Sequence, residues 1–196
     1  RVEVWGEPDS NHPVIHYDNV RVPVTNLLGP QGAGFKIAQK RLGPGRIHHC
    51  MRALGQAQRA FDLMCNRALN REAFGGPLAD KQTIQNWIAD SLVNIQAARL
   101  LTMQAAQKID AGDEARVEVS MIKFFVVIVT CDVVDKAIQV HGALGVTNDT
   151  PLQAMYKSAR ILRIADGPDE VHRMVVARRA LRKYRGGENW DFATFE

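Results

Sequence analysis

Asp166 is a carboxylate that stands just ahead of an expected helix start in this 196-residue sequence. It precedes Gly167-Pro168-Asp169-Glu170, a run that opens a helix with acids in its first turn. The positive end of that helix dipole favours an ionised carboxylate, ready to accept a proton. An Asp in this place commonly caps the helix that follows it, and the residues alone favour that reading without excluding the other. Arg46, just after Gly43-Pro44-Gly45, reads as a solvated Arg at a helix start. His48-His49 lacks a second ligand pair at metal spacing, so no metal site is expected. Gly29-Pro30-Gln31-Gly32-Ala33-Gly34 is glycine-rich but has no following Lys-Ser/Thr, which excludes a phosphate loop of the nucleotide-hydrolase kind. No hydrolase nucleophile motif is present.

Composition narrows the class. A 46% hydrophobic and 23% charged chain is that of a globular protein with a real core. The net charge of +4 and pI of about 9.1 suit a small anionic ligand such as a pyrophosphate. Arg178, Arg179, Arg182, Lys183 and Arg185 form a basic helix end, read as a solvated face favoured by the dipole and not as a nucleic-acid patch. Cys50, Cys65 and Cys131 are odd in number and without a CxxC pair, so free thiols are expected. The longest apolar run, Phe124–Cys131, is too short for a membrane span, which needs ~20 residues. The sequence opens at Arg1 with no leader pattern and no initiator Met, and is read as a fragment or a processed product.

The elements that must carry these residues follow from periodicity. Residues 1–33 alternate β-formers with Pro, Gly and Asn, as at Val14-Ile15-His16-Tyr17 and Val20-Arg21-Val22-Pro23-Val24; they read as the trailing strands of a β domain. From Gly34 the pattern is helical. A short helix over Phe35–Leu42 is expected to break at Gly43-Pro44-Gly45. Long helices follow over about 46–70 (stripe Met51, Leu54, Ala57, Ala60, Met64, Ala68) and 80–111 (stripe Ile84, Trp87, Ile88, Leu92, Ile95, Ala98, Leu101). A third covers 114–140, where Phe124–Val129 resembles a buried strand but fits a buried helix by length. Shorter helices run from Pro151 to about Ala165 and from Gly167 to about Tyr184, and 186–196 is a polar-aromatic tail. The fold class is mainly α: an up-and-down bundle over 34–185 preceded by the strands of 1–33.

Four motifs occur in order. They are Val20-Arg21-Val22-Pro23 with Asn26-Leu27-Leu28-Gly29 and Gly32-Ala33-Gly34-Phe35; Arg71-Glu72-Ala73-Phe74-Gly75 with Gln82; Gln139-Val140-His141-Gly142-Ala143-Leu144-Gly145; and Tyr156-Lys157-Ser158-Ala159-Arg160 with Ala165-Asp166-Gly167-Pro168 and Ala177-Arg178. Together they resemble the acyl-CoA dehydrogenase family over essentially the whole chain. The stretch from Ala165 to His172 is most similar to its members ten and eleven.

That resemblance implies a fold of three parts, of which this chain would be the end of the middle β domain and the C-terminal four-helix bundle. It implies FAD as cofactor, an acyl-CoA substrate with a long, very long or branched chain, and conversion to the trans-2-enoyl-CoA in fatty acid β-oxidation. Electrons would pass to electron-transfer flavoprotein, the bundles would pair into homodimers or homotetramers, and the compartment would be mitochondrial or peroxisomal. Asp166, where relatives carry Glu before Gly, would be the base for the α proton. Other family members place the base before the Arg of the first bundle helix; here that position is Gly45. Arg46 and Gly167 would contact substrate. Arg71, whose planar donors suit phosphate oxygens, would reach the flavin pyrophosphate with Phe74 and Gln82 beside it. The backbone of Gln139, Val140, His141, Gly142 and Ala143 would approach the adenine half, with Gly142 permitting close contact. The competing expectation is a truncated, inactive helical module that oligomerises.

Overall fold

The computed structural model describes residues 2, 4, 5 and 12–192. Contacts divide the chain into two units, Arg1–Arg41 and Leu42–Glu196. Within the first, residues 12–23 form neither helix nor strand, and one 3-10 turn spans Val24–Asn26. The trailing strands expected over 1–33 are therefore not paired strands among the described residues, apart from an isolated bridge at Val4. A strand is completed by a neighbour that takes its N–H and C=O groups. Val20, Val22 and Val24 alternate as strand residues do, yet all three are exposed.

The helix α1 runs unbroken over Gly34–Asn70 and contains Pro44, so the expected break at Gly43-Pro44-Gly45 does not form. A proline inside a helix costs about 3 kcal/mol, through a lost hydrogen bond and a clash with the preceding turn. Burial of Cys50, Ala53, Leu54, Ala57, Ala60, Met64 and Ala68 along the same helix outweighs that. Met51, placed on the stripe by periodicity, points outward instead.

A two-residue hairpin follows: β1 (Glu72–Ala73) pairs antiparallel with β2 (Gly76–Pro77) around Phe74-Gly75. Both turn residues have positive φ, +52° and +81°, as this kind of hairpin requires. After a 3-10 turn at Leu78–Asp80, α2 spans Gln82–Asp110 and α3 spans Arg116–His141. Phe124–Val129 is helical, as chain length favoured. A 3-10 segment, Gly142–Val146, leads to α4 (Leu152–Leu162) and α5 (Asp169–Arg185).

The central helix is α3, which packs against α2, α4 and α5 and is buried on nearly every side. Two apolar clusters fill the bundle. One joins Ala60, Met64 and Ala68 to Ile84, Ile95, Val133, Ala137, Val140, Leu152 and Met155. The other joins Cys50, Ala53 and Leu54 to Ala98, Ala105, Ile122, Val126 and Leu162. Alanines on α1 let α3 come close enough for Thr130 Oγ1 to reach the Ala53 carbonyl at 3.2 Å. The bundle thus has two ends, and α1 connects them.

Candidate active site

Asp166 lies in the connection between α4 and α5, where the chain reverses. Its φ is +56° and that of Gly167 is +107°. A Cβ on Gly167 would stand 2.8 Å from His172 Nε2, so glycine is required there by space as well as by φ. The capping reading of Asp166 is not realised: the residue before α5 is Pro168, and no side chain caps that helix. The carboxylate turns instead toward α1, where Oδ2 is 2.8 Å from His49 Nε2. The Asp166 carbonyl accepts from Arg46 Nε at 3.0 Å and lies 3.3 Å from His172 Nε2. About a fifth of the Asp166 side chain remains exposed. A Cβ built on Gly45 would sit 4.0 Å from Asp166 Oδ2. The two positions from which a base is expected in such proteins therefore border the same space.

The surroundings are rich in cations. Arg46 is lowered from its ordinary value by burial, which Asp166 opposes, but an Arg remains charged. Burial also lowers His49, and Arg52 adds to the effect while Asp166 opposes it. His172 is lowered mainly by burial, against the hydrogen bond to the Asp166 carbonyl. Lys123 on α3 is fully buried and lowered by desolvation; its Nζ donates to the Leu162 carbonyl at 2.6 Å, stopping α4 just ahead of the loop. Arg163 and Asp169 close the loop with a 2.7 Å ion pair, and the Asp169 N–H donates to the Arg163 carbonyl at 3.2 Å. Cys50, beside Lys123, is pushed up to about 12 by burial and stays a thiol.

The remaining candidates sit at the opposite end. Arg46 and Asn70 are separated by ~36 Å along α1, at ~1.5 Å per residue. Arg71 and Gln82 are exposed, and Phe74 is 96% exposed at the hairpin tip. Lys81 Nζ donates to the Phe74 carbonyl at 3.0 Å. The C-terminal end of α3 lies against the first of the two apolar clusters: Val140 is buried in it, and the buried His141 has Nδ1 2.8 Å from the Ala137 carbonyl. Gln139, Gly142 and Ala143 are exposed. Gly142 is needed for its φ of +63°, with no atom of the described residues within 4 Å of an added Cβ; a close approach falls instead at Gly145, whose Cβ would meet the Ile138 carbonyl at 2.6 Å. The structure thus gathers Asp166, Arg46 and Gly167 at one end, and Arg71, Phe74, Gln82 and 139–143 at the other.

Residues 32–181 match the family description "Acyl-CoA dehydrogenase, C-terminal domain". The chain belongs to the acyl-CoA dehydrogenase family. It is 57% identical over 183 residues to the Mycobacterium tuberculosis protein "Probable acyl-CoA dehydrogenase FadE2", covering 92% of this chain and 45% of that one. It is 47% identical over 186 residues to the acyl-CoA dehydrogenase family member 11 of Rattus norvegicus, covering 92% of this chain and 24% of that protein. Among solved structures, butyryl-CoA dehydrogenase from Megasphaera elsdenii superposes with a TM-score of 0.80 at 35% identity, over 85% of this chain and 43% of that one. The chain therefore spans less than half the length of the relatives it matches.

Within this acyl-CoA dehydrogenase bundle, sequence reasoning missed three residues. His49 was weighed only as a metal ligand, and among the described residues no cluster of His, Cys, Asp or Glu could hold a metal ion. Its spacing three residues after Arg46 was the available signal. Lys123 stands in an apolar run, and an isolated Lys among Ile and Phe is a signal for a buried, paired charge. His172 lies three residues beyond Asp169, which puts both on one face of α5.

Proposed function

We propose that this chain supplies the helical bundle of an FAD-dependent acyl-CoA dehydrogenase, with Asp166 as the base that removes the α proton of an acyl-CoA. The observation that carries the reading is the Asp166 carboxylate, partly exposed and set among Arg46, His49, Lys123 and His172, in the space also bordered by Gly45. The Arg46 hydrogen bond and the demand for glycine at 167 fix the loop in one conformation, which orients the base. The product would be the trans-2-enoyl-CoA, from a long, very long or branched acyl chain, as in fatty acid β-oxidation. FAD, when bound, would accept the β hydrogen as hydride.

The opposite end fits the cofactor's chemistry. Arg71 offers planar donors for phosphate oxygens, and Phe74, 96% exposed and held at positive φ, offers an open aromatic face. Because ~36 Å of helix separates Arg46 from the hairpin, these residues serve a flavin other than the one beside their own Asp166. Two copies supplying opposite ends is the arrangement that reconciles them. Leu92, Leu100 and Met103 expose apolar side chains along one face of α2, suiting bundle-to-bundle contact in a homodimer or homotetramer. Electron-transfer flavoprotein would take the electrons. A mitochondrial or peroxisomal setting rests on the animal relatives, and the mycobacterial relative fits a bacterial cell as well. No helix among the described residues is long and apolar enough to cross a membrane.

In the flavin-loaded enzyme that carries this chain, Asp166→Asn is expected to abolish anaerobic flavin bleaching by acyl-CoA while flavin absorbance is retained. Normal bleaching in that variant refutes the assignment.

A further inference from the structure

Asp is one methylene shorter than Glu, so a base of this length depends on how its carboxylate is held. The Asp166 backbone is fixed by Arg46 Nε on its carbonyl and by the reversal at Gly167, which leaves only the side-chain torsions to set. His49 Nε2 meets Oδ2 at 2.8 Å. On the other side of the ring, Arg52 Nη2 stands 2.5 Å from His49 Nδ1. A guanidinium can only donate, so Nδ1 accepts and the ring proton resides on Nε2, pointing at the carboxylate. Gly45, His49 and Arg52 lie on one face of α1, at successive turns. Gly45 borders the carboxylate, His49 grips it, and Arg52 orients the grip. Burial, Arg52 and Lys123 all oppose a charge on His49, which keeps it a neutral donor against the pull of Asp166.

We propose that His49, its tautomer set by Arg52, is a positioning residue that holds Oδ2 of Asp166 and so presents Oδ1 to the α proton of the substrate. The proposal rests on the reading of Asp166 as base. In the step it serves, the α C–H bond breaks and its proton bonds to Oδ1. The electron pair left on the α carbon becomes the new double bond as the β hydrogen departs with its own pair to the flavin. Throughout, the His49 Nε2 proton stays on the ring.

The test separates proton removal from hydride transfer. An acyl-CoA with sulfur in place of the β carbon can lose an α proton but yields no hydride, so exchange of its α protons in D2O, followed by proton NMR, reports the base alone. In the flavin-loaded parent enzyme, His49→Ala is expected to slow this exchange on the order of 10- to 100-fold, the scale of a misplaced catalytic group, with analogue affinity and flavin content unchanged. His49→Gln, whose amide N–H can reach the same oxygen, should recover most of the loss, as a merely space-filling role would not predict. Arg52→Met, at an exposed position, should slow exchange by a smaller factor. Exchange at the parent rate in His49→Ala, or no recovery in His49→Gln, overturns the proposal; an unchanged rate in Arg52→Met overturns the tautomer assignment. Asp166→Asn measured alongside distinguishes the failures. If it exchanges normally, the base reading falls; if it is inert while His49→Ala is normal, only the role of His49 falls.

Discussion

The two ends of this bundle spend their polar residues in opposite ways. Around Asp166 most polar groups are turned inward onto one another: Lys123 on the Leu162 carbonyl, Arg163 on Asp169 Oδ2, Arg46 on the Asp166 carbonyl, His49 on its carboxylate, while Asp169 Oδ1 and His172 Nδ1 are buried without a hydrogen-bond partner. At the hairpin end Arg71, Phe74 and Gln82 face outward. The first arrangement suits a group that must be held to within a fraction of an ångström during a reaction. The second suits groups whose partners arrive from outside the chain. Stability and function should therefore respond differently to substitution at the two ends.

The largest difference is expected from Lys123→Ala. It removes a fully buried side chain and leaves the Leu162 carbonyl without its donor, which together should cost about 3 kcal/mol in a denaturant titration. A loss under about 0.5 kcal/mol, the size of an ordinary surface change, would mean that the inward network is not what holds this end. A smaller change of opposite sign is expected at the other end. Phe74 is exposed in a left-handed conformation that costs a non-glycine residue roughly 1–2 kcal/mol. Phe74→Gly should leave stability equal or up to about 1 kcal/mol higher, offset in part by the greater freedom of the unfolded chain, while flavin retention weakens. Clear destabilisation would show that the ring packs on its own chain.

The smallest effect concerns pH. His49 and His172 are both lowered from the ordinary imidazole value, mainly by burial. Above the unfolded value, ~6.5, both states carry neutral rings and the stability is fully present. As pH falls below it, the unfolded chain takes up protons first, so stability declines until the folded rings also protonate. The thermal midpoint should fall between about pH 7 and pH 5.5, and His172→Gln should flatten the decline. An unaltered slope would detach the histidines from the stability of the acid end.

Most of the fold was legible in the sequence, because long apolar stripes dictate helices wherever there is a face to bury; α2, α3 and α5 begin and end within about two residues of where periodicity, Gly112 and Gly186 put them. Pro44 misled because its local cost is overridden by packing further along α1. Over residues 12–24 alternation marks the faces of a strand but cannot supply its neighbour, and the described residues hold none. At the candidate site, the place of Asp166 before Gly167-Pro168 pointed first to a helix cap, and only the family resemblance pointed to a base. His49 and Lys123 were not legible, since their importance comes from a loop that reaches them from more than a hundred residues away for His49 and about forty for Lys123.

The central claim is that each flavin is served by the Asp166 end of one copy and the hairpin end of another. Mixing subunits tests it most directly. Asp166→Asn and a double Arg71→Ala, Phe74→Ala variant, each inactive by itself, should recover turnover when co-assembled. Random pairing should give about a quarter of the parent activity, because half of such dimers carry one intact site. Hybrids as inactive as either variant alone would contradict the claim.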